Sequence, residues 1–305
     1  MPQSLPEQNS QLPVISIVTP SYNQGSFIEA TIASVLSQNY PRLEFIVMDG
    51  GSTDNSVEVI RKYAGSLAHW ESEKDGGQSH AINKGLAHCT GDIFNWINSD
   101  DLLAPGALWA VAKAWMETPG RVISGRTEFF NDKGTFETIR ASGQTLRNFV
   151  RFWEAKDWSW AQPGTFVPLA DFRAIGGLRT DLKYCLDYHM MVQLLARGLE
   201  VHYLDQVLAK FRFHGASKTV GSREQFRLER VPTLRAMKNL PVNVEEHEWD
   251  REQAKRLVDV AISAARRGKI GRGVKYLAQG LRLSPAPAVQ EIFNRCGGRL
   301  AKNRA

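Results

Sequence analysis

Cysteine is scarce: Cys89, Cys185 and Cys296 are the only three in 305 residues, and they lie far apart with no metal-binding or redox spacing. A disulfide framework and a zinc ribbon are both excluded as organising devices, and a reducing compartment fits best. No stretch approaches 18 consecutive apolar residues, so the sequence carries no membrane-spanning helix. The opening MPQSLPEQNSQLP has neither a basic region nor an apolar segment. Residues 1–12 are therefore expected to be disordered, not a signal peptide, and the protein is expected in the cytoplasm. The glycine patterns of nucleotide folds are missing as well. There is no G-x-G-x-x-G after the first apolar run and no G-x-x-x-x-G-K-[ST] anywhere, which argues against a dinucleotide fold and a P-loop.

Acidic residues are scarce at one end. Residues 251–305 hold 13 Lys/Arg against 3 Asp/Glu, whereas residues 1–250 hold 25 against 29. The bulk of the protein is mildly acidic, which argues against a nucleic-acid binder. The basic tail alone suits an anionic surface, and peripheral contact with the inner face of a membrane is one expectation for it.

Residues 14–18 form a β-branched run that Thr19-Pro20-Ser21 is expected to stop. Residues 26–38 then show helical spacing, and 43–48 read as a second strand. Ser52 or Asp54 can cap the helix after it. A third strand is expected at 67–71, a third helix at 79–89 and a fourth strand at 93–97, which implies a parallel, doubly wound sheet. A helix follows at 105–116 and a strand at 121–124. Residues 129–162 have weak periodicity, and their Trp153, Trp158 and Trp160 suit packing or a ligand platform. Residues 186–196 read as a helix ended by Arg197-Gly198. Residues 241–249 read as a linker, followed by a basic helical hairpin closed at Ser284-Pro285. The expected division is a disordered 1–12, an α/β domain at 13–240 and a basic helical extension at 241–305.

Four polar loops follow the first four strands: 19–23, 49–54, 75–78 and 98–101. A parallel sheet gathers such loops at one edge, where ligands bind. Asp100 and Asp101 are adjacent carboxylates after a buried strand, costly unless a cation meets them. A divalent ion carrying a phosphorylated ligand answers that demand.

The stretches VISIVTPSYNQ (14–24), EFIVMDGGSTD (44–54), DGGQSHAINKGLAHCTGD (75–92), NWINSDDLLAP (95–105), LDYHMMVQLLARG (186–198) and FRFHGASKT (211–219) resemble the family 2 glycosyltransferases of the GT-A fold, over roughly residues 13–219. The fold so implied is α/β, a mostly parallel central sheet flanked by helices, with a C-terminal helical extension. The resemblance implies inverting transfer of a sugar from a nucleotide-diphosphate donor to a hydroxyl acceptor. A UDP-sugar is favoured, with GDP or dTDP open, and the cofactor is Mn²⁺ or Mg²⁺. The acceptor would be a surface glycan or a lipid-linked glycan. By motif position, Pro20, Tyr22 and Asp49 would surround the nucleoside, and Asn83 and Lys84 would lie near the donor. Asp100 and His214 would hold the metal. Asn98 and Asp101 would shape that site, Arg212 would balance diphosphate charge, and Asp187 would be the general base.

Three positions depart from the family pattern. Asn98 stands where the first Asp of the DXD motif often stands, Gly50 replaces a second acidic residue, and Leu186 replaces an acidic residue before the base. Outside catalysis, Asp187 reads as a helix N-cap. A non-catalytic nucleotide-sugar binder and a sugar-1-phosphate nucleotidyltransferase are the competing readings; residues 19–25 lack the Gly-rich basic loop that the latter needs.

Overall fold

The computed structural model describes residues 11–302, apart from 216 and 238, so the expectation for residues 1–12 lies almost wholly outside the described residues. The chain divides into two compact units: residues 1–149 with 155–217, and residues 150–154 with 218–305. The expected boundary at 240/241 is thus replaced by one at 217/218.

The first unit is built on β1 (Ile15–Ser21), β2 (Leu43–Asp49), β3 (His69–Ser72), β4 (Ile93–Trp96), β5 (Leu102–Leu103), β6 (Val122–Asn131), β7 (Gly134–Ile139), β8 (Thr165–Pro168) and β9 (Val201–Arg212). They form one sheet in the order β3-β2-β1-β4-β8-β6-β9-β5, with β7 paired to β6. The first four strands are parallel, and β1, β2 and β4 carry the mostly apolar, buried runs of strands covered on both faces. Beyond them β8 runs antiparallel to β4 and β6, while β9 returns parallel to β6.

The expected stop at Thr19-Pro20-Ser21 is corrected, because β1 continues through Ser21. Its pairing with β4 ends at Val18, while pairing with β2 goes on to Ser21–Asp49. Pro20 therefore lacks its N–H on a side where the neighbouring strand has already ended, and no ladder bond is lost.

Helices α1 (Ile28–Leu36), α2 (Ser56–Lys62), α3 (Gln78–His88), α4 (Ala107–Glu117), α5 (Leu169–Ala174) and α6 (Leu186–Ala196) accompany the sheet. Ile15, Ile17, Phe45 and Val47 pack with Ile28, Ile32 and Leu108 in a core from which water is excluded. The N-cap of α2 is Asn55 rather than Ser52 or Asp54, although the Asp54 carboxylate still accepts the Ser56 N–H at 2.9 Å.

The second unit holds α7 (Arg223–Arg235), α8 (Glu246–Arg266), α9 (Ile270–Leu283) and α10 (Pro285–Lys302). The expected linker at 241–249 is shortened, since α8 starts at Glu246 with a reciprocal capping box between Glu245 and Glu248. Nor does Pro285 close a hairpin. It opens a further helix, at the position where its missing N–H is needed least. Gly273 and Gly280 let α9 approach α8 closely. A Cβ on either would sit 3.0 Å from the Ala261 carbonyl oxygen or 3.2 Å from that of Ala254.

Candidate active site

The loop after β4 carries Asn98, Asp100 and Asp101. The last strand, β9, delivers Arg212 and, just beyond it, His214, more than a hundred residues later in sequence. Asp100 Oδ2 lies 2.9 Å from His214 Nε2. Asp101 is 1% exposed. Its Oδ1 accepts the Arg212 backbone N–H at 2.9 Å, and its Oδ2 accepts from Asn98 Nδ2 at 3.0 Å. Burial, with the neighbouring Asp100 charge second, holds the Asp101 carboxyl well above the usual carboxylate range, and the hydrogen bonds from Arg212 and Asn98 oppose this. Asn98 in turn accepts from Gln78 Nε2 at 2.7 Å, so a chain Gln78–Asn98–Asp101 links the first residue of α3 to the buried carboxyl. The neutral residue at 98 is what allows this: an amide both donates and accepts, and an aspartate there would only accept.

Arg212 and His214 are fixed by aromatic rings. The guanidinium lies 4.5 Å from the Phe130 ring centre and 5.3 Å from that of Phe27, whose ring in turn lies 4.5 Å from the His214 ring. Arg212 Nε donates to the Asp100 backbone carbonyl at 2.9 Å. Thus its charge sits beside both carboxylates, yet among the described residues no Lys or Arg forms an ion pair with either one. The donor set suits a divalent cation. Two adjacent ligands on an octahedral ion with arms of about 2.1 Å stand about 3 Å apart, the spacing seen between Asp100 and His214.

The loop after β2 is built on Asp49, which is 2% exposed. It accepts the N–H groups of Gly51 and Ser52 at 3.1 and 2.8 Å, and the hydroxyls of Ser52 and Ser72 at 2.5 and 2.7 Å. Pro20 is buried in β1, whereas Tyr22, just beyond the strand end, is 61% exposed. The Ser21 hydroxyl is buried without a hydrogen-bond partner at the same strand end. Gly50 has a local cause: a Cβ there would lie 3.1 Å from Asp75 Oδ2, so the Asp75 carboxylate fills the space a side chain would need.

Asp187 is the second residue of α6, whose N-cap is Cys185, so its reading as a cap is corrected. Its Oδ1 accepts the Tyr188 N–H at 2.7 Å, at the helix end where a negative charge is favoured. Tyr188 donates to the Phe149 carbonyl at 2.5 Å and packs among Phe149, Trp158 and Trp160, so these tryptophans hold the turn that carries Asp187. Asn83 and Lys84 are engaged elsewhere. Asn83 donates to the Leu178 carbonyl at 2.7 Å and accepts the Leu178 N–H at 2.9 Å, pinning the segment that leads into α6. Lys84 pairs with Glu71 and with Glu73.

Sequence reasoning missed Gln78 and Phe27. Nothing in sequence spacing marks Phe27, whose role depends on a histidine far along the chain. Gln78 lay inside a stretch already read as polar and site-lining.

The glycosyl transferase family 2 model matches residues 16–171. A glycosyltransferase of Rickettsia prowazekii is 31% identical over 233 residues, covering 70% of this chain and 68% of that protein. The putative teichuronic acid biosynthesis glycosyltransferase TuaG of Bacillus subtilis is 26% identical, covering 66% of this chain and 79% of TuaG. The chain spans only 34% to 37% of the length of several other relatives. Among solved structures, residues 1–349 of S. aureus TarS in complex with UDP-GlcNAc share the fold at a TM-score of 0.64 and 18% identity, over 89% of this chain and 82% of that TarS fragment. The mannosyltransferase PcManGT of Pyrobaculum calidifontis, in complex with GDP-Man and Mn²⁺, gives 0.52 and 20%, over 96% of this chain and 81% of the other.

Proposed function

The chain belongs to glycosyl transferase family 2, and from that premise we propose that it transfers a sugar from a nucleotide-diphosphate donor to a hydroxyl acceptor with inversion at the anomeric carbon. The observation that carries the reading is the meeting of Asp100 and His214 at 2.9 Å, beside a buried Asp101, where among the described residues no Lys or Arg forms an ion pair with either carboxylate.

Asp187 takes the proton of the acceptor hydroxyl as that oxygen attacks the anomeric carbon. The bond from that carbon to the diphosphate oxygen breaks, and the nucleoside diphosphate leaves with the bonding pair. A single displacement of this kind inverts the centre and leaves no sugar bound to the enzyme. Base assistance of this sort is worth about 10²–10⁴-fold. Asp100 and His214 would hold a divalent cation, Mn²⁺ or Mg²⁺, which when bound neutralises charge on the departing diphosphate. Arg212, locked between Phe27 and Phe130, adds a fixed positive charge on the same side. Asp49 stiffens the loop against which the nucleoside rests, and exposed Tyr22 stacks on the base. TarS and TuaG make UDP the first nucleotide to try and a surface polysaccharide the first acceptor class.

The test is a screen of UDP-, GDP- and dTDP-sugars for thermal stabilisation with Mn²⁺, followed by donor-turnover assays. Stabilisation by one nucleotide sugar together with release of its nucleoside diphosphate supports transfer. Stabilisation without turnover in the presence of acceptor extracts leaves a binder, and formation of a nucleotide sugar from sugar-1-phosphate and nucleoside triphosphate would replace the proposal with a nucleotidyltransferase.

The second unit supports peripheral contact with an anionic membrane. Ile270 and Val274 are 60% and 61% exposed on α9, with Arg266, Lys269, Arg272 and Lys275 exposed around them. Among the described residues no helix is long and apolar enough to cross a membrane, so such contact would be at the surface.

A further inference from the structure

His69 and Glu71 lie two residues apart on β3, the edge strand of the sheet, and therefore project from the same face. His88 stands in the last turn of α3. One donor atom from each of the three side chains falls within 4.8 Å of the other two. His69 Nε2 is buried and has no hydrogen-bond partner. A ring nitrogen shut off from water and from any hydrogen-bond partner leaves a bonding capacity unmet, which costs free energy.

The two oxygens of Glu71 face different partners. Oε1 pairs with Lys84, which also reaches Glu73 at 3.6 Å. Oε2 faces His69 Nε2 at 3.8 Å, too far for a hydrogen bond. The carboxylate is thus oriented by its lysine on one side and open on the other, the way outer partners orient metal-ligating groups. Glu71, Glu73 and Lys84 together carry one net negative charge, so a cation is not repelled by its surroundings.

We propose that His69, Glu71 and His88 form a binding site for a borderline divalent transition-metal ion of the Zn²⁺ class, joining the edge strand β3 to the C-terminal turn of α3. Two imidazoles and one carboxylate are the nitrogen and oxygen donors such ions prefer, with a water completing four-fold coordination. A tetrahedral ion with arms of about 2.0–2.1 Å sets its ligands about 3.3 Å apart, so the donors close in by side-chain rotation. The two rings are now stacked with centres 3.7 Å apart and planes 13° from parallel. One ring must turn for both lone pairs to converge, and His88, exposed on the last helical turn, has room to do so. The site is separate from Asp100 and His214, and it ties down the helix whose first residue, Gln78, holds Asn98.

The test is titration of tag-free full-length protein with Zn²⁺ by calorimetry, and with Co²⁺ by visible absorption, in an Asp100→Asn background that removes a ligand of the other candidate site. One equivalent of Zn²⁺ bound there, with the Co²⁺ bands and a rise in melting temperature, is the expected result. His88→Ala, a change at an exposed position, should weaken binding by more than about tenfold. His69→Gln should do the same, and His247→Ala in the other unit should leave binding unchanged. Absence of a bound equivalent in the Asp100→Asn protein, or full affinity in His88→Ala, would overturn the proposal.

Discussion

Buried carboxylates are treated oppositely in the two units. In the sheet unit Asp49 and Asp101 are held by backbone N–H groups, hydroxyls and an amide, and among the described residues neither has a basic ion-pair partner. In the helical unit Glu252, 1% exposed, meets Arg251, Lys255 and Arg256. Asp259, with a side chain 3% exposed, meets Arg227, Arg256 and Arg295. Burial lifts the Asp259 carboxyl above its ordinary range while the arginines pull it back. A carboxylate already surrounded by cations has its charge satisfied within the fold. One held only by neutral donors has no cation of the fold paired to it, which leaves that place to a cation that arrives. The difference separates a structural network from a binding site without reference to any motif.

The largest expected effects lie at the candidate site of the sheet unit. Asp187→Asn should lower turnover of a nucleotide sugar about 10²–10⁴-fold with little change in donor affinity, read from initial rates and donor titrations. Asp100→Ala should abolish the response of activity to Mn²⁺ while leaving the fold intact by circular dichroism; activity still stimulated by Mn²⁺ would remove Asp100 as a ligand.

The satisfied charges should behave in the reverse way. Asp259→Ala removes a buried carboxylate shared by Arg227, Arg256 and Arg295, although Arg256 keeps Glu252 and Arg295 keeps Glu291, and chemical denaturation should show a loss of about 1–3 kcal/mol. Turnover measured well below the melting temperature should be unchanged. A loss of activity without a loss of stability would collapse the contrast between the units.

A pH titration sharpens the comparison further. His189, 4% exposed in α6, has its pKa lowered to about 4, chiefly by burial and then by the Arg179 charge, with Asp181 opposing. The folded state therefore binds fewer protons than the unfolded state between about 6.5 and about 4, and stability falls as pH falls through that window. The full shift corresponds to about 3 kcal/mol, and His189→Gln should flatten the decline in a series of denaturation curves. The smallest effect concerns the surface of the helical unit. Replacing Ile270 and Val274 with Asp should reduce co-sedimentation with phosphatidylserine-containing vesicles several-fold at low salt, with activity on a soluble acceptor unchanged.

Much of the sheet was legible because buried parallel strands read as apolar runs punctuated by polar loops. Those loops do lie at one edge, with Ser21 and Asp49 in register. What could not be read depends on distance or on neighbours. The pairing of Asp100 with His214 is a tertiary fact, supplied only by resemblance. Asn83 and Lys84 fell in a stretch that looks like site lining, yet their side chains turn to Leu178 and to the glutamates. Pro20 and Pro285 both misled as terminators. One sits where the neighbouring strand has ended and the other at a helix start, the two places where a missing N–H is harmless. The start of α8 was hidden because its first turn is charged and carries no apolar period.

The chain from Gln78 through Asn98 to Asp101 has a consequence for how substitutions combine. Asn98 is read by both neighbours at once: Gln78 needs an acceptor there and Asp101 needs a donor. An aspartate at 98 keeps the first bond, loses the amide donor of the second and sets two acidic side chains side by side, one of them buried. Asn98→Asp alone should therefore injure the protein, while the same change made together with Gln78→Lys, which brings a compensating charge, should be tolerated. Positions 78, 98 and 101 act as one hydrogen-bonded unit, and a change at 98 is felt at both of the others.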